Sequence, residues 1–313
     1  VPVLSRKTTS ALKTFDWRRL VLSLPVGITL CLANAAHAAD SFLPLAVPAT
    51  NKAMPGKFVY AQLTTPDIVQ AERFYGQLLG WTFKESLVSV GRYVQATVNG
   101  KSVAGLVERP LDGRHTPLWL PFISTASVDQ LVVTAKTWGG SIMFAPHDIP
   151  GIGREAIISD AQGGLFAAVQ SSSGDPEDSD APAVQGQWIW NALLTRAPRD
   201  ATGFYQKLFS YEVRTQDESQ GPLRYILSSQ ASARATVNPL PPRLSADAPA
   251  RWISFINVDN VAESAKKAVE LGGSVISEPH LDHNNSMIAI LADPSGAVFG
   301  VMEAQASVDG EAK

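Results

Sequence analysis

Few residues of this chain have the types and spacing that chemistry needs. There are five histidines, His37, His115, His147, His280 and His283, and a divalent metal would need several of them, or carboxylates, facing one point. His147 and His280 each follow a proline, with His283 three residues beyond the second, and read as turn or loop-surface histidines rather than ligands. His115, in a Pro/Gly-flanked connection, reads as solvent-exposed. The one cysteine, Cys31, sits in an apolar N-terminal run. No G-x-S-x-G nucleophile elbow is present. Gly151-Ile152-Gly153 lacks the third glycine and the following helix of a phosphate loop. Asp67, Asp160 and Asp293 occupy helix-start or turn positions, where capping and turn formation account for them. Arg154 could reach an anionic ligand, although a structural, exposed arginine is the simpler reading.

The elements that carry these residues start with an export-like segment. Lys7, Lys13, Arg18 and Arg19 precede an apolar run, Leu20 to Leu32, and then Ala36-His37-Ala38. The run is shorter than the ~20 residues of a spanning helix, so residues 1–38 read as a signal peptide cleaved after Ala38. The general secretory and twin-arginine routes both stay open. Cleavage would leave a thiol-free protein in a periplasmic or secreted setting, with no membrane contact. A net charge of −3 argues against a nucleic-acid partner.

The rest is built twice. Val59-Tyr60-Ala61-Gln62-Leu63 recurs as Ile189-Trp190-Asn191-Ala192-Leu193, and Phe74-Tyr75 as Phe204-Tyr205, both at a shift of 130. Trp119 and Phe122 match Trp252 and Phe255; Gly139-Gly140 matches Gly272-Gly273; Pro146-His147 matches Pro279-His280; Asp160 and Gly163 match Asp293 and Gly296, all at a shift of 133. The boundaries are a loose N-terminal arm at 39–56, a first domain at 57–170, a solvated Ser/Asp/Pro/Gly linker at 171–186, a second domain at 187–304 and a flexible tail at 305–313. Each domain divides into two halves that read β-α-β-β-β. In the first, Thr65 offers an N-cap, and Ala71, Phe74, Tyr75 and Leu78 form one apolar helix face before Gly80.

These stretches, LTTPDIVQAERFYGQLLGW (63–81), LLTRAPRDATGFYQKLFSYEV (193–213), SDAQGGLFAAV (159–169) and LADPSGAVFGV (291–301), resemble the vicinal oxygen chelate superfamily of glyoxalases, extradiol dioxygenases and bleomycin-resistance proteins. The resemblance implies the α+β class, with tandem glyoxalase-like domains, each of two βαβββ modules forming a curved mixed sheet around a cavity. It also implies a divalent metal held in that cavity by His, Gln or Glu. The family's ligand positions fall on Tyr60, Leu120 and Ala167 in the first domain and on Trp190, Ile253 and Gly300 in the second. None is a usual metal ligand, and a further position near Glu108 cannot be aligned. No metal or other cofactor is expected, and metal-dependent glyoxalase or dioxygenase activity is not.

Alternate residues of a strand share a face. With Tyr60 turned inward, Phe58, Gln62 and Thr64 follow it, as do Trp188, Trp190, Ala192 and Leu194 in the copy. The expectation is a pocket for a small apolar or aromatic molecule built from Tyr60, Gln62, Phe122, Trp188, Trp190 and Phe255, with Gln62 or Asn257 orienting the ligand. The alternatives are an enzyme of lyase, isomerase or hydrolase type using Tyr60, Gln62, His147 or Arg154, and a structural module whose aromatics simply fill the cavity. A homodimer stays open.

Overall fold

The first helix shows how local chemistry sets the elements. Asp67, in extended conformation, accepts a hydrogen bond from the Gln70 N–H at 2.9 Å and caps α1 (Ile68–Leu79), and Gly80 ends the helix at φ +73. The cap thus lies two residues beyond the expected Thr65, which is the last residue of the preceding strand; the Thr65 hydroxyl instead takes the Asp67 N–H. In the copy, Ala197 provides no side-chain cap, Pro198 opens the helix and Ser210 takes the left-handed terminal position.

In the computed structural model, residues 42–87, 92–110, 116–179, 181–215, 223–241 and 248–304 are described. The expected signal segment at 1–38, with Cys31 and His37, and also His115 and the expected tail at 305–313, lie outside them. Among the described residues no helix is long and apolar enough to cross a membrane.

The first domain runs β1 (Phe58–Thr65), α1, β2 (Thr82–Leu87), β3 (Arg92–Val98), β4 (Lys101–Glu108), then β5 (Leu118–Ser124), α2 (Val128–Thr137), β6 (Ser141–Ile149), β7 (Gly153–Ser159) and β8 (Leu165–Ser171). The second repeats it with β9 (Trp188–Thr195), α3 (Pro198–Phe209), β10 (Glu212–Thr215), β11 (Tyr225–Ser229), β12 (Ser232–Pro239), β13 (Arg251–Asn257), α4 (Val261–Glu270), β14 (Ser274–Leu281), β15 (Met287–Ala292) and β16 (Val298–Met302). Each domain makes one eight-stranded mixed sheet, ordered β2-β3-β4-β1-β5-β8-β7-β6 and β10-β11-β12-β9-β13-β16-β15-β14. The expected α+β class and the tandem βαβββ pairs are therefore present.

The helix-bearing faces of the two sheets meet. Helix α1 packs on α4, and α2 on α3. One core joins α1 and β1, β3 and β4 to α4, β15 and β16; a second joins α2, β7 and β8 to α3, β11 and β12. The repeated residues are the fastening. Trp119 Nε1–H donates to the Tyr75 hydroxyl at 2.8 Å, which donates to Asp293 of the other domain at 2.9 Å. Reciprocally, Trp252 donates to Tyr205 at 2.9 Å, and Tyr205 to Asp160 at 3.0 Å. Gly140 and Gly273 repeat because a Cβ there would lie 3.0 Å from the Phe204 ring and 2.9 Å from the Phe74 ring, each from the opposite domain.

Two expectations about the connections give way. The arm is packed: Phe42, Leu45 and Ala46 are buried, a burial worth about 2 kcal/mol for each large side chain. The linker is solvated only in part. Ser173 and Asp175 are buried and tie down the arm, with Ser173 Oγ accepting Ala46 N–H at 3.0 Å and Asp175 accepting Met54 N–H and the Ser124 hydroxyl, each at 2.5 Å.

Candidate functional site

The face of each sheet away from the helices is concave, and strand register shows what lines it row by row. In the first domain one row is Tyr60, Phe122, Ala167 and Ile157; the next is Gln95, Gly105, Gln62 and Leu120; the third, toward the mouth, is Tyr93, Val107, Thr64 and Leu118. The equivalent rows of the second domain are Trp190, Phe255, Gly300 and Ile290; then Ile226, Thr236, Ala192 and Ile253; then Asn238, Leu194 and Arg251, with Arg224 one step beyond the paired Tyr225 and Val237.

Tyr60, Gln62, Phe122, Trp190 and Phe255 thus lie on concave faces, the first three in one domain and the last two in the other. Phe58 and Trp188 do not. A bulge at Val59 and its equivalent at Ile189 inserts one unpaired residue, which reverses the alternation behind it. Phe58 turns to Trp252, with ring centroids 5.1 Å apart. Trp188 packs on Trp119 at 5.1 Å and on Trp81 at 6.0 Å, and its Nε1–H donates to Val103 O at 2.9 Å. It belongs to the interdomain core.

The first concave face is filled. Phe42 meets Tyr93 edge-on at 4.5 Å, and Gln95 holds the arm at both ends of its amide, accepting Leu43 N–H at 2.6 Å and donating to Leu43 O at 3.1 Å. Tyr60, Tyr93, Leu120, Phe122 and Ile152 close with Phe42 and Leu45 into one apolar cluster. Gln62 is half-buried. In the second domain Ala192, Ile253 and Phe255 form a small floor, and Trp190, Leu194, Ile288, Val298 and Met302 around it are only partly buried.

The metal positions fail on chemistry. Burial pushes the Tyr60 phenol up to about 12, despite its hydrogen bond to Tyr93, so it stays neutral. The Phe122 ring stands edge-on to it at 5.5 Å. Over Gly300, the Phe255 ring occupies the space a Cβ would need. Glu108 and Glu303 accept the first N–H groups of α1 and α4 at 3.4 and 2.9 Å. Among the described residues no three His, Cys, Asp or Glu side chains converge. These side chains do not fit a divalent metal.

Other candidates are also redirected. Arg154 lies on the helix side, committed to Asp129 at 2.9 Å and Asp148 at 3.1 Å. Asn257 is occupied by the Ala183 carbonyl and the Ala304 N–H, each at 2.9 Å. His147 and His280 sit on β6 and β14, since these strands run past the prolines expected to end them. His147 Nε2 lies 3.2 Å from the carboxylate of Glu155, which raises its pKa. Glu155 is buried with its second oxygen unpartnered. In the second domain, Ile288 faces His280 instead. Sequence reasoning missed Glu155 because its partner was placed in a loop. A groove of 460 Å³ between α2 and the end of α3, lined by Ser127, Gln130 and Ser210 among others, lies outside both concave faces and brings no reactive groups together.

Residues 190–302 match the glyoxalase-like domain family. The chain is 30% identical over 251 residues to CFP32 of Mycobacterium tuberculosis, which carries a provisional glyoxylase name, covering 78% of this chain and 93% of that protein. It is 28% identical over 270 residues to the anthracycline biosynthesis protein DauV of Streptomyces sp. strain C5, covering 80% and 94%. Among solved structures it is similar in fold to the Mn(II)-bound glyoxalase from Novosphingobium aromaticivorans, with a TM-score of 0.54, 16% identity and coverage of 80% and 83%.

Proposed function

The chain belongs to the glyoxalase-like, vicinal oxygen chelate family, and from that premise we propose that it binds a small apolar or aromatic molecule on the concave face of its second domain. The observation that carries the reading is the asymmetry of the copies. The first face is covered by Phe42 and Leu45 of the chain's own arm, whereas Trp190, Leu194, Ile288 and Met302 stay partly exposed around Ala192, Ile253 and Phe255. A concave, mostly apolar surface with few polar groups is the usual form of a small-molecule site. Metal-dependent chemistry has no place in the reading, because the donor positions hold Tyr, Leu, Ala, Trp, Ile and Gly.

Titration with the neutral fluorophore N-phenyl-1-naphthylamine tests it. One saturable site per chain is expected, lost in Ala192→Trp and kept in Gln62→Ala. Binding that ignores Ala192→Trp would place the ligand elsewhere.

A second reading is metal-free acid–base catalysis at His147 and Glu155, favoured by the unpartnered buried carboxylate oxygen. Turnover that survives chelators and disappears in His147→Ala would support it. We also propose export, on the basic and apolar run before Ala36-His37-Ala38; N-terminal sequencing of protein from its natural host should begin at Ala39.

A further inference from the structure

The third row across each concave face differs sharply between the copies. In the first domain it reads Tyr93, Val107, Thr64 and Leu118, and the arm lies against it. The same row of the second domain reads Arg224, Asn238, Leu194 and Arg251. Two arginines therefore bracket the mouth of the second concave face. Their strands are three steps apart, so the Cα atoms lie about 14 Å apart along the sheet and closer across its curve, a span that two inward-reaching arginine side chains can close.

Among the described residues neither guanidinium makes a hydrogen bond or a salt bridge. Arg224 is half-buried, its Nε is buried without a hydrogen-bond partner, and burial lowers its pKa. That is a desolvated cation with an unused donor, which costs free energy unless something accepts from it. Arg251 is exposed and has no hydrogen bond or ion pair among the described residues. Asp282 is the acid that acts on Arg224, and it comes from the β14–β15 turn at the far edge of the sheet. An interaction between opposite edges means that the sheet curls until its rims face each other. Asp282 already accepts the Asn284 and Ser286 N–H groups through one oxygen, both at 2.8 Å. Among the described residues, two cations at this mouth stand against one acid.

We propose that the second domain takes a small carboxylate with an apolar, aromatic-sized body, its anionic head held by Arg224 and Arg251 and its body lying on Trp190, Ala192 and Ile253. Arginine suits the task because its planar fork donates to both oxygens of a carboxylate. The assignment rests on the reading that this face is the binding face, and adds the charge and the orientation.

Calorimetric titration of the full chain with 1-naphthoate and with 1-naphthalenemethanol separates the two. Naphthoate should bind about tenfold or more tightly than the alcohol, the ratio expected for a charge-assisted contact. Arg224→Gln and Arg251→Gln should each shrink that ratio while leaving the alcohol's affinity within about twofold. Arg224→Lys should keep part of it, and Ala192→Trp should abolish both. Equal affinity for the two compounds, or a ratio untouched by both glutamine variants, overturns the carboxylate assignment alone. Failure of both compounds to bind overturns the binding reading with it. Naphthoate affinity that falls as protein concentration rises would identify a second copy as the occupant and overturn the small-molecule assignment.

Discussion

Replacing Tyr75 by Phe removes a single oxygen and strands two buried groups. Trp119 Nε1–H loses its acceptor at 2.8 Å, and the Asp293 oxygen that took the Tyr75 hydroxyl loses its donor at 2.9 Å. The ring itself is kept, so its contacts with Trp81 at 5.4 Å, Trp119 at 5.3 Å and Phe299 at 5.5 Å persist. Each stranded group costs about 1–3 kcal/mol. Asp293 keeps three donors on its other oxygen, from the Ser295 N–H and hydroxyl and the Ala297 N–H, which holds the sum near 3 kcal/mol. For a folded unit of this size each kcal/mol moves Tm by about 2–4 °C, so calorimetry should show a fall of roughly 6–12 °C. In urea the midpoint should drop with an unchanged slope. Tyr205→Phe should do the same through Trp252 and Asp160. The two networks lie in separate cores, so the double variant should lose the sum within about 0.5 kcal/mol. A loss below about 0.5 kcal/mol in both single variants would refute the account of these triads as dry, formed links between the domains.

Gly273→Ala should destabilise by about 1–3 kcal/mol, because the new Cβ would lie 2.5 Å from Ala292 O and 2.9 Å from the Phe74 ring; an unchanged urea midpoint would count against the close approach. Phe42→Ala should uncover the first concave face, so a second molecule of N-phenyl-1-naphthylamine should bind per chain, and stoichiometry remaining at one would argue that the face closes without the arm. Asp178 is held below the usual carboxylate range, first by Arg234 at 2.6 Å and also by Lys57 at 2.8 Å. A depressed folded pKa gives stability that is full above the unfolded value of about 4 and is lost as pH falls through the folded one, so Asp178→Asn should flatten the stability profile below pH ~4. His147 has the opposite sign. Its raised pKa comes chiefly from the hydrogen bond to Glu155, so its contribution is full below about 6.5 and fades as pH rises through the folded value. Its NMR titration midpoint should lie above that figure and fall in Glu155→Gln.

What the sequence made legible were features repeated at a fixed shift, and what it hid were features set by a single insertion or by contacts between distant segments. The Phe-Tyr, Trp, Gly-Gly and Asp repeats pointed to two domains, and they turn out to be the residues that fasten those domains to each other. Period-two alternation placed Tyr60, Gln62, Trp190 and Ala192 on the concave faces but failed at Phe58 and Trp188, because a bulge adds one residue and nothing in FVY or WIW announces it. The prolines of the arm suggested looseness, yet what orders it is Gln95, 52 residues away from Leu43 in the chain, a pairing no local pattern contains. Arg224 and Arg251 were equally hidden. Each is unremarkable in its own strand, and they become partners only when register puts Tyr225 opposite Val237 and Arg251 opposite Leu194. Duplication supplies the reason such a difference can persist. In the first copy the polar side chain of that face, Gln95, is met by the Leu43 backbone of the arm, whereas among the described residues of the second copy the buried Arg224 Nε has no hydrogen-bond partner.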